Sequence, residues 1–142
     1  MEAYNAKTEQ SLILEKLKSD EFKAKAKELN LNTALIFGSV ITDEFNEESD
    51  VDLAILSEEK LKLSKILNLE LFLEDLLGRE IDVVDLNSDN LDIFIKINIL
   101  NTGQTIYTSD EDNALACLID KVEWYYRENE TFFRFRKRDL LS

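Results

Sequence analysis

Residues 36–56 read IFGSVITDEFNEESDVDLAIL, and this stretch decides how the chain folds. An apolar run over residues 33–37 stops at Gly38-Ser39; ten residues follow, then Asp50, and a second apolar run begins at Val51. This pattern predicts two buried strands joined by a polar loop. Successive side chains of a strand point to opposite faces, so we expect Asp50 and Asp52 to share one face.

Apolar periodicity extends this pattern along the chain. It predicts helices over about residues 8–29, 58–77 and 91–100, further strands over residues 81–86 and 104–107, and a last helix beginning near Ser109-Asp110, with Ser109 as its N-cap. Gly78 is expected to end the second helix with a positive φ. Alternating strands and helices predict an α/β (α+β) fold, with a small mixed sheet of about four strands and about five helices. We expect one domain over residues 1–142, including a C-terminal helix and basic tail from about residue 110.

The composition is typical of a soluble globular protein, with 44 % apolar and 33 % charged residues. No stretch approaches the roughly 20 apolar residues of a membrane span, and the first five residues lack the pattern of a signal peptide. We therefore expect a cytoplasmic protein that does not bind membranes. A net charge of −13 disfavours direct nucleic-acid binding, and it means that a bound triphosphate needs metal ions or a local positive site.

The residue types exclude several classes of site. The chain has no histidine and a single cysteine, Cys117. Serine and cysteine nucleophiles activated by histidine, zinc sites built on histidine or several cysteines, and an internal disulfide are all excluded. Enzymatic chemistry would rest on carboxylates, whose oxygens suit Mg²⁺, Mn²⁺ or Ca²⁺.

Carboxylates recur on the predicted strands. Asp50 and Asp52 lie about 7 Å apart along one face, close enough to share a metal. On the third strand Glu80 and Asp82 share a face, whereas Asp85 has the opposite parity. Three aspartates on neighbouring strands would form a two-metal phosphoryl-transfer site, with the choice between Asp82 and Glu80 as general base left open.

Gly38-Ser39 supplies a possible phosphate-binding turn. Glycine lets the backbone approach a phosphate closely, and the Ser39 hydroxyl and the amides that open the next short helix can donate to phosphate oxygens. The alternative is that Ser39 only caps a helix. An isolated Asp-x-Asp is weak evidence, because Asp110-Glu111-Asp112 has the same form and is better interpreted as a helix start.

Together, Gly-Ser, a ten-residue gap and Asp-x-Asp-Leu resemble the DNA polymerase β-like nucleotidyltransferase superfamily. Two later stretches, LLGREIDVVDL at residues 76–86 and ILNTGQTIY at residues 99–107, look like its minimal nucleotidyltransferase branch. The likeness covers residues from about 12 to 126. That branch includes the antitoxins of HEPN/MNT toxin–antitoxin systems.

The resemblance implies transfer of AMP from ATP to a tyrosine of a HEPN ribonuclease toxin, which silences the toxin. It implies two Mg²⁺ ions held by Asp50, Asp52 and Asp82, with Asp82 also the general base. It further implies that Gly38 and Ser39 hold the triphosphate.

One segment departs from the family pattern. Members often carry Arg-Ala-x-Gly directly after Gly-Ser, whereas this chain has Val40-Ile41-Thr42-Asp43, which is less basic and less flexible. Two other functions therefore stay open. The first is a non-catalytic antitoxin that acts by stoichiometric binding. The second is a small-molecule nucleotidyltransferase of the aminoglycoside type, whose acidic cleft would suit a cationic drug although little sequence remains for a separate acceptor domain.

The tail is basic and aromatic in an otherwise acidic chain, and residues 132–138 read FFRFRKR. It has three interpretations: a helix end whose cations favour the C-terminal dipole, a docking arm for a protein partner, or a contact with nucleotide or nucleic acid.

Overall fold

The computed structural model describes residues 5–127, which form a four-stranded sheet between two layers of helices. The elements in chain order are α1 (Ala6–Leu17), α2 (Asp20–Glu28), β1 (Leu31–Phe37), a 3₁₀ turn (Gly38–Ile41), β2 (Val51–Ser57), α3 (Leu63–Leu77), β3 (Ile81–Asp85), α4 (Ile93–Thr102), β4 (Gln104–Thr108) and α5 (Asn113–Arg127). This confirms the predicted mixed fold of about four strands and five helices.

The sheet is mixed because its central strand pair and one outer pair differ in direction. The strand order is β3-β2-β1-β4, with β1 antiparallel to β2 and β4, and β2 parallel to β3. The parallel pair is joined by α3, as a crossover between parallel strands requires. In register, Asp52 of β2 lies opposite Phe37 of β1 on one side and Asp82 of β3 on the other.

Strand alternation divides the interior into two cores. Val51 and Leu53 belong to the core formed with α1, α2 and α3. Ala54 and Leu56 belong to the core formed with α4 and α5. Because residues two apart share a face, Asp52 lies on the α4/α5 face of the sheet.

The predicted single helix over residues 8–29 is wrong, since α1 ends at Leu17 and α2 begins at Asp20. The Ser19 hydroxyl accepts a hydrogen bond from the Phe22 amide at 3.4 Å and caps α2. A serine at this position satisfies an amide that the start of a helix leaves without a partner, and so stabilises the break. Leu17 and Phe22, on either side of the break, are both fully buried.

The helix α3 begins at Leu63, later than the predicted residue 58. The preceding segment is held in a loop, because the Asp85 carboxylate accepts a hydrogen bond from the Leu61 amide at 2.9 Å. The Ser57 hydroxyl also donates to the Glu59 carbonyl at 2.6 Å. Gly78 ends α3 with φ of 69°, as predicted.

The last helix also begins later than predicted, at Asn113, and Ser109 is not its cap. The Ser109 hydroxyl instead donates to the Asn32 carbonyl at 3.4 Å, while the Asp110 carboxylate accepts from the Ala114 amide at 3.1 Å. The acidic triplet 110–112 lies just before α5, whose first turn contains no acidic residue. The prediction that the triplet opens the helix therefore holds only for Asp110, whose carboxylate binds an amide of the first turn.

Within residues 5–127, no helix is both long enough and apolar enough to span a bilayer. The basic aromatic tail, residues 132–138, lies outside the described residues, and its three interpretations stay predictions.

Candidate active site

The turn after β1 brings backbone against a carboxylate. Gly38 has a φ of +78°, a left-handed conformation that side chains disfavour. A Cβ atom at this position would lie 2.5 Å from Asp52 Oδ2. Glycine is thus required twice, for its conformation and for the space that the Asp52 carboxylate occupies.

Asp52 and Asp82 are direct neighbours across the parallel pair of strands. Asp82 has the parity of Val84 and Leu86, which belong to the α4/α5 core, so both aspartates lie on that face. Asp85 is buried on the opposite face, where its carboxylate binds the Leu61 amide. The structure therefore brings Asp52 and Asp82 together and excludes Asp85, as strand parity predicts.

The Asp52 carboxyl is partly buried and lies near two other acidic side chains. Burial raises the pKa of the Asp52 carboxyl above its ordinary value, and the nearby charges of Asp82 and Asp50 raise the pKa further. Asp50 itself is exposed, in the residue before β2, and Asp82 is also exposed. The charges of Asp82 and Asp50 therefore act on the Asp52 carboxyl, and a bound cation would offset this repulsion.

The oxygen atoms of these carboxylates suit a hard divalent cation, but the side chains are not positioned to coordinate one together. In residues 5–127, no group of three or more histidine, cysteine, aspartate or glutamate side chains is positioned to hold a metal ion. The carboxylate oxygens are the hard donors that Mg²⁺ prefers.

Ser39 lies inside the 3₁₀ turn and not before it. The residue that precedes the turn is Phe37, and no side chain caps it, so the interpretation of Ser39 as a helix cap is wrong. Its carbonyl accepts from the Thr42 amide at 2.9 Å and from the Thr42 hydroxyl at 3.1 Å. Among the described residues, the Ser39 hydroxyl has no hydrogen-bond partner, which leaves it available for a ligand.

A residue that the sequence analysis did not identify holds this turn. The Gln10 side-chain amide donates to the Val40 carbonyl at 2.9 Å and to the Thr42 carbonyl at 2.8 Å. These bonds tie α1 to the segment after Gly38-Ser39. A glutamine 30 residues away on an amphipathic helix carries no local signal for this role. Arg79 is a second residue whose role the sequence analysis did not identify, and it binds the loop before Asp50.

Two cavities lie at opposite ends of β1 and β2. One of about 360 Å³ lies beside the turn and is lined by Gln10, Val40, Thr42 and Gln104 among others. Another of about 790 Å³ lies at the opposite end of β1 and β2, and its lining includes Lys27, Lys60, Lys62 and Lys65. The larger cavity touches none of the aspartates, so we assign the candidate chemistry to the aspartate end on the basis of the carboxylate cluster.

Curated proteins match part of this chain in sequence. The protein adenylyltransferase MntA of Thermococcus cleftensis is 45 % identical over 49 residues, which are 34 % of this chain and 50 % of that protein. The chain spans about half the length of the curated relatives that it matches first.

Two solved structures are similar in fold. A toxin–antitoxin structure with AMP-PNP has a TM-score of 0.57 at 17 % identity, covering 77 % of this chain and 92 % of that one. A re-refined tri-AMPylated Shewanella oneidensis HEPN toxin in complex with MNT antitoxin has a TM-score of 0.52 at 18 % identity, covering 79 % and 92 %. At these identities the likeness shows the fold alone.

A family model described as polymerase beta, nucleotidyltransferase, matches residues 20–112. This match covers well over half of the 142 residues and includes both the Gly38-Ser39 turn and the three aspartates. The chain therefore belongs to the polymerase beta nucleotidyltransferase family.

Proposed function

We propose that this protein transfers AMP from ATP to a tyrosine of a HEPN-type toxin and thereby neutralises that toxin. The observation that carries the proposal is the packing of the Gly38 turn against Asp52, with Asp82 beside Asp52 on the same face. The named activity of the Thermococcus cleftensis relative and the AMPylated HEPN toxin in a structural neighbour support it. The proposed location is the cytoplasm, as expected from the sequence, because ATP is available there.

The proposed reaction exchanges one bond at the α-phosphorus of ATP. The tyrosine oxygen forms a bond to the α-phosphorus. At the same time the bond between the α-phosphorus and the oxygen that bridges to the β-phosphorus breaks. Pyrophosphate leaves with the bonding pair of electrons. The tyrosine proton passes to a carboxylate, and Asp82 is the proposed general base because it is the direct register partner of Asp52.

The remaining roles follow from the chemistry of each group. Asp50, Asp52 and Asp82 are the proposed ligands of two Mg²⁺ ions, which when bound would offset the charge of the phosphates and of the leaving group. The backbone at Gly38 and the Ser39 hydroxyl are proposed to bind the triphosphate. Two observations support these roles: the Ser39 hydroxyl has no hydrogen-bond partner within residues 5–127, and Gly38 has no side chain.

Transfer of label from α-labelled ATP to the toxin tests the proposal. We expect wild-type protein with Mg²⁺ to label the toxin, and the Asp50→Asn/Asp52→Asn double variant to lose the label. A Glu47→Gln/Glu48→Gln variant is the matched control, because it removes the same charge from exposed positions of the same loop. It should label the toxin at close to the wild-type rate.

Undiminished labelling by the aspartate variant would contradict the proposed site. Label that appears on a small molecule and on no protein would favour the small-molecule transferase instead. In each case circular dichroism and complex formation show that the variant is folded.

A second candidate is neutralisation by stoichiometric binding with a weakened active site. The observation that favours it is Val40, which is 3 % exposed and packed in the core at the place where family members often carry arginine. The exposed Thr42 and Asp43 add no positive charge. Under this candidate, the aspartate double variant still neutralises the toxin. Loss of neutralisation while the complex still forms would exclude it.

A further inference from the structure

Along the chain, Arg79 lies between β2 and β3, the strands that carry Asp52 and Asp82. It follows the Gly78 that ends α3 and stands three residues before Asp82. Its side chain is only 10 % exposed. Because arginine is rarely buried without partners, the contacts of this side chain are informative. The side chain extends under the loop of residues 42–50, which ends at Asp50.

The guanidinium of Arg79 binds the backbone of that loop. Its Nη1 atom donates to the Ser49 carbonyl at 2.7 Å, and the Asn46 and Glu47 carbonyls both lie 3.4 Å away. One planar cation thus gathers three carbonyl oxygens from four consecutive residues. The shortest of these bonds is made by the residue immediately before Asp50.

Two further contacts fix the Arg79 side chain itself. Its guanidinium carbon lies 4.5 Å from the centre of the Phe45 ring, a cation–π geometry, and the Phe45 side chain is buried in the core. Its Nε atom lies 3.7 Å from a carboxylate oxygen of Glu9 on α1. The side chain is therefore held from both sides while it holds the loop.

Hydrogen bonds within this part of the loop are local. The Asn46 amide donates to the Ser49 hydroxyl at 3.0 Å, and the Glu48 amide donates to the Asn46 side chain at 2.8 Å. Such bonds shape a turn but do not fix it relative to the sheet. Gln10 fixes the other end of the loop, at Val40 and Thr42.

We propose that Arg79 is a positioning residue that fixes Asp50 relative to Asp52 and Asp82 by holding the Ser49 carbonyl. The catalytic consequence rests on the proposed function, whereas the effect on the loop does not. Lysine could keep the charge but offers neither the planar fork nor the same stacking on Phe45, so it should replace Arg79 poorly.

Hydrogen exchange of backbone amides, followed residue by residue by NMR, tests the effect on the loop. In Arg79→Met we expect exchange of residues 46–50 to accelerate about tenfold, and in Arg79→Lys by several-fold, while exchange in β1 and β2 stays within about twofold. Lys23→Met, which removes one exposed positive charge from α2, is the matched control and should leave the loop unchanged.

Loop exchange within about twofold of wild type in both variants would overturn the proposal. So would a uniform acceleration through the strands, which would mean that Arg79 only stabilises the fold. If Arg79→Met does not fold, Arg79→Lys carries the test by the same two criteria.

The transfer assay adds a functional measurement. We expect Arg79→Lys to raise the Mg²⁺ concentration for half-maximal transfer about tenfold, with a smaller change in KM for ATP, because Asp50 is no longer fixed. If wild-type protein transfers no AMP, the proposed function fails and hydrogen exchange still decides the role of Arg79. An unchanged Mg²⁺ requirement beside a mobile loop would overturn the catalytic part of the inference.

Discussion

Gly38 and Asp52 approach so closely that a Cβ atom on Gly38 would lie 2.5 Å from the Asp52 Oδ2 atom. The turn after β1 and the carboxylate of β2 therefore cannot be changed independently. A single added methyl group would move either the turn proposed to bind phosphate or the aspartate proposed to bind metal.

Gly38→Ala should separate activity from stability when compared with Gly78→Ala. Both glycines have positive φ, 78° and 69°, so alanine is strained by about 1–2 kcal/mol at either site. Only Gly38 has a neighbour in the way, since a Cβ atom on Gly78 meets nothing within 4 Å. We expect similar losses of thermal stability in both variants, but a loss of AMP transfer of about 100-fold in Gly38→Ala alone.

Melting temperatures and initial rates of transfer at saturating ATP provide the comparison. Equal activity in the two alanine variants would show that the contact with Asp52 has no part in the reaction.

Asp52→Asn should stabilise the folded protein at neutral pH while it removes activity. The raised pKa of Asp52 means that the folded state binds this proton more tightly than the unfolded chain does. The stability that this group contributes is complete below the ordinary aspartate pKa of about 4 and is lost as pH rises through the raised value. Removing the charge should therefore raise Tm by about 1–4 °C at pH 7, with no gain below about pH 4.

Thermal unfolding of both proteins between pH 3 and pH 8 measures this difference. Asp75→Asn, an exposed site on α3, is the control and should show little pH-dependent gain. A lower Tm for Asp52→Asn across the whole range would mean that the carboxylate stabilises the fold, contrary to the burial and repulsion that raise its pKa.

The pairing of Asp52 with Asp82 shows how much the sequence could predict. Alternation along β3 places Asp82 and Asp85 on opposite faces without knowledge of the fold, and the structure agrees. Strand order is not a local property, so the register that makes Asp82 the neighbour of Asp52 could not be derived from spacing alone. It came from the resemblance.

The helix boundaries were predicted less well because side-chain hydrogen bonds decide them. Ser19 breaks what apolar periodicity shows as one helix, and Asp85 holds the Leu61 amide in a loop that periodicity assigns to α3.

Gln10 and Arg79 were missed as site residues for a related reason. Both act on backbone carbonyls about 30 residues away, and such partners leave no pattern in the sequence around them.

Gln10→Ala should weaken ATP binding more than the rate of the chemical step. The side chain donates to the Val40 and Thr42 carbonyls, so its loss frees the segment that follows Gly38-Ser39. Two lost hydrogen bonds at a partly exposed site should lower the free energy of unfolding by about 1–2 kcal/mol. If the turn binds the triphosphate, KM for ATP should rise about tenfold with a smaller fall in kcat.

Steady-state kinetics at varied ATP and urea unfolding measure the two effects. Gln104→Ala is the matched control, because Gln104 lines the same cavity without either bond to the turn. A fall in kcat with KM for ATP unchanged would place the effect of Gln10 on the aspartates and not on the phosphate-binding turn.

The role of the basic aromatic tail, residues 132–138, can be tested on the proposed complex with a HEPN-type toxin. Aromatic and arginine side chains are enriched among the residues that dominate binding energy at interfaces. We therefore expect Phe132→Ala/Phe133→Ala/Phe135→Ala to weaken the complex with the toxin at least about tenfold, with Tm unchanged. Leu71→Ala, which removes an exposed apolar side chain of α3, should leave the affinity unchanged.

Calorimetric titration of the toxin, with KM for ATP and Tm measured on the same variants, assigns the role. A lower Tm with unchanged affinity would mean that the aromatic side chains only complete the fold, and a raised KM for ATP alone would assign the tail to the nucleotide. If the complex weakens while labelling at saturating toxin stays at the wild-type rate, the tail recruits the toxin and the aspartates act on it. If neutralisation follows occupancy of the complex with no labelling at all, binding alone silences the toxin, because an enzyme needs only transient contact with each acceptor.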